Sequence, residues 1–243
     1  MNCEPWASQI AKGSDQMSES LGSNSKKSLI YENSLSSPRD IEGFVMEGKG
    51  LASFPAGRLR LEHQLPPEEG QVANIVLWCP DKFPDCIEVS WDFWPVQEPG
   101  LCIMFFAAKG VAGQSIFDTK SRDGIYEQYH HGDVNMLHLS YFRRKEIDER
   151  SFHTCNLRKS YGFHLVAQGA DPIPSVIAAQ GPYHMRLHKR ENDVLFWINH
   201  LLVLSWTDDG KSFGPPLADG WIGFRQCSPL IAEYGNLKVY RLS

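Results

Sequence analysis

The stretch IYEQYHHGDVNMLHLSYFRR, starting at Ile125, concentrates histidines, tyrosines, carboxylates and arginines around one Gly-Asp pair. Those residue types suit three kinds of chemistry on a sugar. A glycosidase needs two carboxyl groups, roughly 5 Å apart if it retains configuration and farther apart if it inverts. A polysaccharide lyase neutralises a uronate carboxylate with Arg, Gln, Asn or His, while a Tyr or His moves the proton. A binding site needs less: an aromatic ring against the apolar face of the sugar, and polar side chains for its hydroxyls. The expected catalytic residues are His138, His164, Asp92 and Tyr129. The expected substrate-binding residues are Glu88, Trp94, Glu127, His131, Tyr141, Arg143, Arg158, Gln168 and Arg225.

The elements that must position them read as strands. EVSWDFW alternates, with Ile87, Val89, Trp91 and Phe93 on one face and Glu88, Ser90, Asp92 and Trp94 on the other. In NMLHLSYFRR, Leu137 and Leu139 mark the core side, which leaves His138 and Ser140 on a concave face. In GFHLVAQG, Phe163, Leu165 and Ala167 are expected to be buried, with His164, Val166 and Gln168 opposite. These three strands are therefore expected to share one groove. Glu88 with Asp92, or Asp92 with Glu127, could pair as carboxylates only through tertiary proximity. Glu127, Tyr129 and His131 are expected near the mouth of the groove. GLCIMFFAAKG is apolar on both faces, as a central strand is. Many short strands rich in Val, Ile, Phe, Tyr and Trp, separated by Gly, Pro and Asn-Asp signals and with little helical pattern, predict an all-β, two-sheet antiparallel sandwich. DPIPSVIAAQGP has room for one or two helical turns at most.

Composition narrows the function. With 243 residues the chain can form one large all-β domain, and its net charge of −5 argues against a general nucleic-acid binder. No apolar run is long enough to span a bilayer as a helix, and MNCEPWASQIAKG lacks the basic start and apolar centre of a secretion signal. The expectation is a cytoplasmic protein acting on short oligosaccharides. Residues 1–30 are rich in Ser, Gly, Asn and Lys and read as a flexible tail, with a single domain over 31–243. Cys79 and Cys86 flank PDKFPD and could meet across a loop, but unpaired thiols fit a chain of this size better. No C-x-x-C pair supports zinc. Asp208 and Asp209 in WTDDGKSFG suit either Ca²⁺ or a simple turn, and no cofactor is expected.

The closing segments, WTDDG, DGWIGFRQ and AEYGNLKVYRL, resemble the end of the concanavalin A-like lectin/glucanase jelly roll. Taken with EGFVMEGKG, VSWDFWPVQEPGLCIMFFAAKG, YHHGDVNMLHLSYFRR and TCNLRKSYGFHLVAQGADPIP, the chain from about Leu35 to its end is similar to the YesU-like family. That resemblance implies a jelly roll associated with carbohydrate use, notably the breakdown of pectic rhamnogalacturonan. It implies a glycoside hydrolase or lyase acting on pectic oligosaccharides, or a lectin-like protein without catalysis. The E-x-D-x-x-E strand of jelly-roll glucanases is absent from EVSWDFW, so the resemblance settles the fold rather than the reaction.

Overall fold

Alternating apolar residues bounded by turn residues produce strands with one face to bury, and this chain buries them between two sheets. The structure, a computed structural model, describes residues 26–144 and 153–243. Sheet A holds β1 (Lys27–Asn33), β3 (Gly50–Ser53), β4 (Leu59–His63), β6 (Ile87–Gln97), β11 (Tyr183–Arg190), β12 (Asp193–Ile198), β13 (Leu201–Thr207) and β15 (Ile231–Leu242). Its order is β13-β12-β11-β6-β15-β4-β3, with β1 also paired to β15. Sheet B holds β2 (Val45–Glu47), β5 (Ile75–Phe83), β7 (Gly100–Gly110), β8 (Val134–Arg144), β9 (Thr154–Lys159), β10 (His164–Ala170) and β14 (Gly220–Cys227), in the order β10-β9-β8-β7-β14-β5-β2. The result is an antiparallel jelly-roll sandwich, as the strand pattern predicts.

Because β1 begins at Lys27, residues 27–30 of the expected tail belong to sheet A. The rest of that tail, residues 1–25, lies outside the described residues. The segment 171–182 forms only turns, within the limit set by its prolines. Cys79 and Cys86 are both unpaired. No helix among the described residues is long and apolar enough to cross a membrane.

The inter-sheet core centres on Trp91. Its ring stacks on Phe196 and meets Tyr141 and Phe224, and its Nε1 donates a hydrogen bond to the Tyr141 hydroxyl at 3.2 Å. Tyr234 donates likewise to Gln226 Oε1 at 2.8 Å. Each large ring thus buries its apolar body while its polar tip finds a partner.

A second, smaller core lies on the outer face of sheet B, beneath the segment between β7 and β8. Ile116 and Tyr129 of that segment pack against Trp78, Phe105 and Met136. A buried ion pair fastens it down. Arg122 meets Glu47 of β2 at 2.6 Å, and the Tyr129 hydroxyl donates to the same carboxylate at 2.7 Å. Gly124 permits the close approach. Its φ is +100°, and a Cβ there would sit 2.0 Å from the Asn74 carbonyl oxygen. The covering segment leaves the β8-β9-β10 side of the face open.

Candidate functional site

Register places a polar row across that open side. Ile103 of β7 faces Ser140 of β8, Ser140 faces Asn156 of β9, and Asn156 faces Gln168 of β10. Ser140 and Asn156 lie beneath the surface, and the exposed Gln168 donates to Asn156 Oδ1 at 2.8 Å. Arginines flank the row. On one side Arg158 stands opposite His138, with its guanidinium carbon 3.8 Å from the Phe163 ring centre and Nη1 donating to the Phe163 carbonyl. On the other, Arg143 donates to Thr154 Oγ1 at 3.1 Å.

Two irregularities create this arrangement. Simple alternation would turn Phe142 outward and Arg143 inward. Instead Phe142 adopts φ +47°, joins the inter-sheet core, and Arg143 emerges on the open face. On β10 the register shifts between Leu165 and Ala167. A bulge of this kind reverses the faces before it. Phe163 and Leu165 are therefore exposed instead of buried, while Val166 packs on the core. Ala167 and Gln168 keep their expected sides.

An aromatic wall borders the row. Tyr126 meets Phe163 edge-on at 5.5 Å, and His130 lies 4.7 Å from Phe163 and 4.5 Å from His131, which touches Tyr161. The Gly162 N–H donates to the His130 carbonyl at 2.7 Å and joins the two turns. Beyond the wall is a cavity of about 680 Å³ lined by Lys120, Gln128, His131, Asp133, Asn135 and Tyr161 among others. A second, of about 300 Å³, shares Asn135 and Tyr161 with it. The buried Asn135 Oδ1 has no hydrogen-bond partner.

His138 lies under the wall, 1% exposed. The Ser160 hydroxyl donates to the Met136 carbonyl at 3.1 Å, which leaves its oxygen to accept from His138 Nε2 at 3.2 Å. Nδ1 is then the unprotonated nitrogen and accepts from the Tyr126 hydroxyl at 3.2 Å. Burial, with His130 and the arginines nearby, holds His138 well below the usual histidine range and so neutral. Burial likewise pushes the Tyr126 phenol up, against the pull of Arg225, Arg158 and Arg143. His130 is lowered to about 4 by burial and by its neighbour His131.

Several expected site residues lie elsewhere. Glu88, Asp92 and Trp94 are on β6, which belongs to sheet A, so their polar face points away from the opposite side of the sandwich. Neither carboxylate pair expected from sequence forms a site with His138. Glu88 binds His188 and Lys27, Asp92 binds His184 and Asn236, and Trp94 packs under Arg58. Tyr141 belongs to the inter-sheet core, and Tyr129, on the inner side of the covering segment, stacks on Phe105. His164 lies across the strand from Phe163 and Leu165, stacked on Phe213 at 4.4 Å. Arg225 is wholly buried under Tyr126 and Tyr129 and donates to the Gly124 carbonyl at 2.8 Å.

Arg143, Arg158 and Gln168 do come together on the open face, with Glu127 and His131 exposed on the adjoining turn. The Ca²⁺ reading meets a different use of its ligands: Asp208 pairs with buried Lys159 at 2.7 Å, and Asp209 accepts from Lys211 and Ser212. Among the described residues no three His, Cys, Asp or Glu side chains cluster as metal ligands. Tyr126, Tyr161 and Phe163 escaped sequence reasoning. Tyr126 and Tyr129 sit one 3-10 turn apart, and nothing in their spacing says which faces His138.

Known proteins share this architecture. The uncharacterised protein YesU of Bacillus subtilis (strain 168) is 50% identical over 214 residues, covering 87% of this chain and 95% of its own. A crystal structure from Bacillus subtilis, described as a protein of unknown function with a galectin-like fold, is 49% identical with a TM-score of 0.86, over 90% of this chain and 99% of that one. The exoplasmic/lumenal domain of VIP36 in its Ca²⁺/Man3GlcNAc-bound form is similar in fold alone, at 12% identity and a TM-score of 0.57, over 89% of this chain and 91% of that one. Over residues 28–239 the chain matches the family described as a domain of unknown function (DUF1961), and it belongs to that family.

Proposed function

We propose that this protein binds an oligosaccharide across the open face of sheet B. The observation that carries the reading is the row Ser140, Asn156 and Gln168, flanked by two arginines and bordered by the exposed rings of Phe163 and Tyr161. Hydroxyls of a sugar need donors and acceptors at about strand spacing, and its C–H face needs an aromatic ring. The fold is one on which VIP36 carries a glycan, which supports the reading by analogy. Pectic, rhamnogalacturonan-type oligosaccharides are the ligands to try first, and short ones if the protein is cytoplasmic.

Calorimetry with such oligosaccharides tests this. We expect micromolar to millimolar affinity, and Phe163→Ala or Gln168→Ala should weaken binding about tenfold, roughly 1.4 kcal/mol. A panel of acidic and neutral glycans that all fail to bind would sink the proposal.

Catalysis by a lyase is a second reading, favoured by the hydrogen bond between Tyr126 and neutral His138 beside Arg158. In such a β-elimination a base takes the C5 proton, the C4–O bond breaks, a C4=C5 double bond forms and the leaving oxygen gains a proton. Rising absorbance near 235 nm would report the unsaturated product; new reducing ends without it would mark hydrolysis instead. Hydrolysis has less support, because Glu88 and Asp92 belong to sheet A, which puts Asp92 on the other side of the sandwich from Glu127.

A further inference from the structure

Cations removed from water in this protein have carboxylate partners almost everywhere. Lys159 has Asp208, Arg122 has Glu47, Arg144 has Asp171 and Lys189 has Asp85. The partly exposed Arg58 and Arg60 share Glu233. Arg186 on sheet A, half-buried over the Trp197 ring, is one exception among the described residues; the open face of sheet B gathers three. Arg143 and Arg158, both half-buried, and Arg225, fully buried, have no carboxylate partner among the described residues. Their hydrogen bonds go to a hydroxyl, to main-chain carbonyls and, at 3.5 Å, to the Gln71 amide, and Arg225 Nε has no partner. Glu127 is exposed on the adjoining turn and makes no ion pair among the described residues. A chain of net charge −5 thus gathers on one face three arginines without a carboxylate partner among the described residues.

Resting on the carbohydrate reading, we infer that the ligand is acidic and that Arg143 and Arg158 receive its sugar carboxylate, with Ser140, Asn156 and Gln168 between them left for its hydroxyls. A guanidinium offers paired N–H donors that match a carboxylate, and an arginine already packed on an aromatic ring is preorganised for it. Arg225 does not reach the surface and contributes only its field. The lowered proton affinity of Arg158, caused by burial and by Arg143 against the opposing pull of Tyr126, agrees with two cations held close to each other.

The test compares trigalacturonate with galactotriose, which differ at the acid group, by calorimetry at low and high salt. Wild-type protein should bind trigalacturonate at least tenfold more tightly, with the advantage shrinking as salt rises. The Arg143→Gln/Arg158→Gln variant should lose that advantage and bind galactotriose as before, and Arg158→Lys should retain the salt dependence with weaker binding. Inorganic phosphate should compete poorly. Equal wild-type affinity for the two trisaccharides overturns the acidic ligand and leaves the carbohydrate reading standing. Competition by phosphate at the same concentration as trigalacturonate overturns the sugar-carboxylate assignment in favour of a general anion site. If neither trisaccharide nor any other glycan binds, both readings fall.

Discussion

The outer faces of the two sheets are built by the same alternation and end in opposite electrostatic states. On sheet A, Glu88 is bound by His188 and Lys27, Asp92 by His184 and Asn236, and Lys238 pairs with Glu32. Arg186 is the exception there: it has no carboxylate partner among the described residues and lies 4.2 Å over the Trp197 ring. On sheet B, Arg143 and Arg158 rise from a row of amides and a hydroxyl and have no carboxylate partner among the described residues. A face whose charges answer one another is finished as a surface. A face that holds like charges beside buried polar groups is complementary to something it does not contain. Abundance of titratable groups therefore identifies neither; the supply of partners does.

The largest effect should come from breaking a finished pair. Lys159 is 1% exposed and depends on Asp208 and the Gly214 carbonyl. Asp208→Ala strands that ammonium, and urea unfolding should show a loss of about 3–5 kcal/mol. Lys159→Met combined with Asp208→Leu should recover much of it, since no charge is then left unpaired. A loss below about 1 kcal/mol in the single variant would mean that buried pairing is not what distinguishes the rest of the molecule from the open face.

A smaller effect is expected on sheet A. Burial raises the Glu88 carboxyl, but hydrogen bonds and charge from His188 and Lys27 outweigh it and bring it down to about 2. A carboxylate whose folded pKa is depressed stabilises fully above its unfolded value, near 4.5, and loses that contribution as pH falls through about 2. Glu88→Gln should cost about 1 kcal/mol at neutral pH, allowing for solvent screening around Lys27, and progressively less in acid. Unfolding curves for both proteins between pH 7 and pH 2 should converge. A difference independent of pH would assign the loss to packing instead of charge.

The sandwich was legible because period-two alternation is written into single strands: Ile87, Val89, Trp91 and Phe93 are buried as their spacing predicts, and so are Leu137 and Leu139. The site was legible only in part. Alternation says that Asp92 and His138 both leave the core, but not that they leave it from opposite sheets. That depends on which strands pair, a long-range choice that local pattern does not encode. Bulges hid more. One positive φ at Phe142 and one slipped register at Leu165 decide that Arg143, Phe163 and Leu165 face the open side, and nothing in YFRR or GFHLVAQG announces either. The covering segment was the third obstacle. Tyr129 and His138 were expected at a groove, yet the segment between β7 and β8 folds over His138, turns its own Tyr129 inward and leaves Tyr126 as the partner of His138.

The smallest change in stability should come from the open face itself, and its sign is informative. Arg143 and Arg158 repel each other, and among the described residues each makes one side-chain hydrogen bond, to a neutral group. Replacing either by Gln removes a repulsion together with that bond, two terms of similar size and opposite direction. Arg143→Gln and Arg158→Gln should therefore unfold within about 0.5 kcal/mol of wild type, although both should weaken binding of an acidic glycan. Salt sharpens the contrast. Raising ionic strength screens attraction on sheet A and repulsion on sheet B, so the stability gap between wild type and Glu88→Gln should narrow. The Arg158→Gln variant should at the same time lose any small advantage it has at low salt. A loss above about 1 kcal/mol in Arg158→Gln would mean that its stacking on Phe163 and its bond to the carbonyl are structural, and that sheet B is as finished as sheet A.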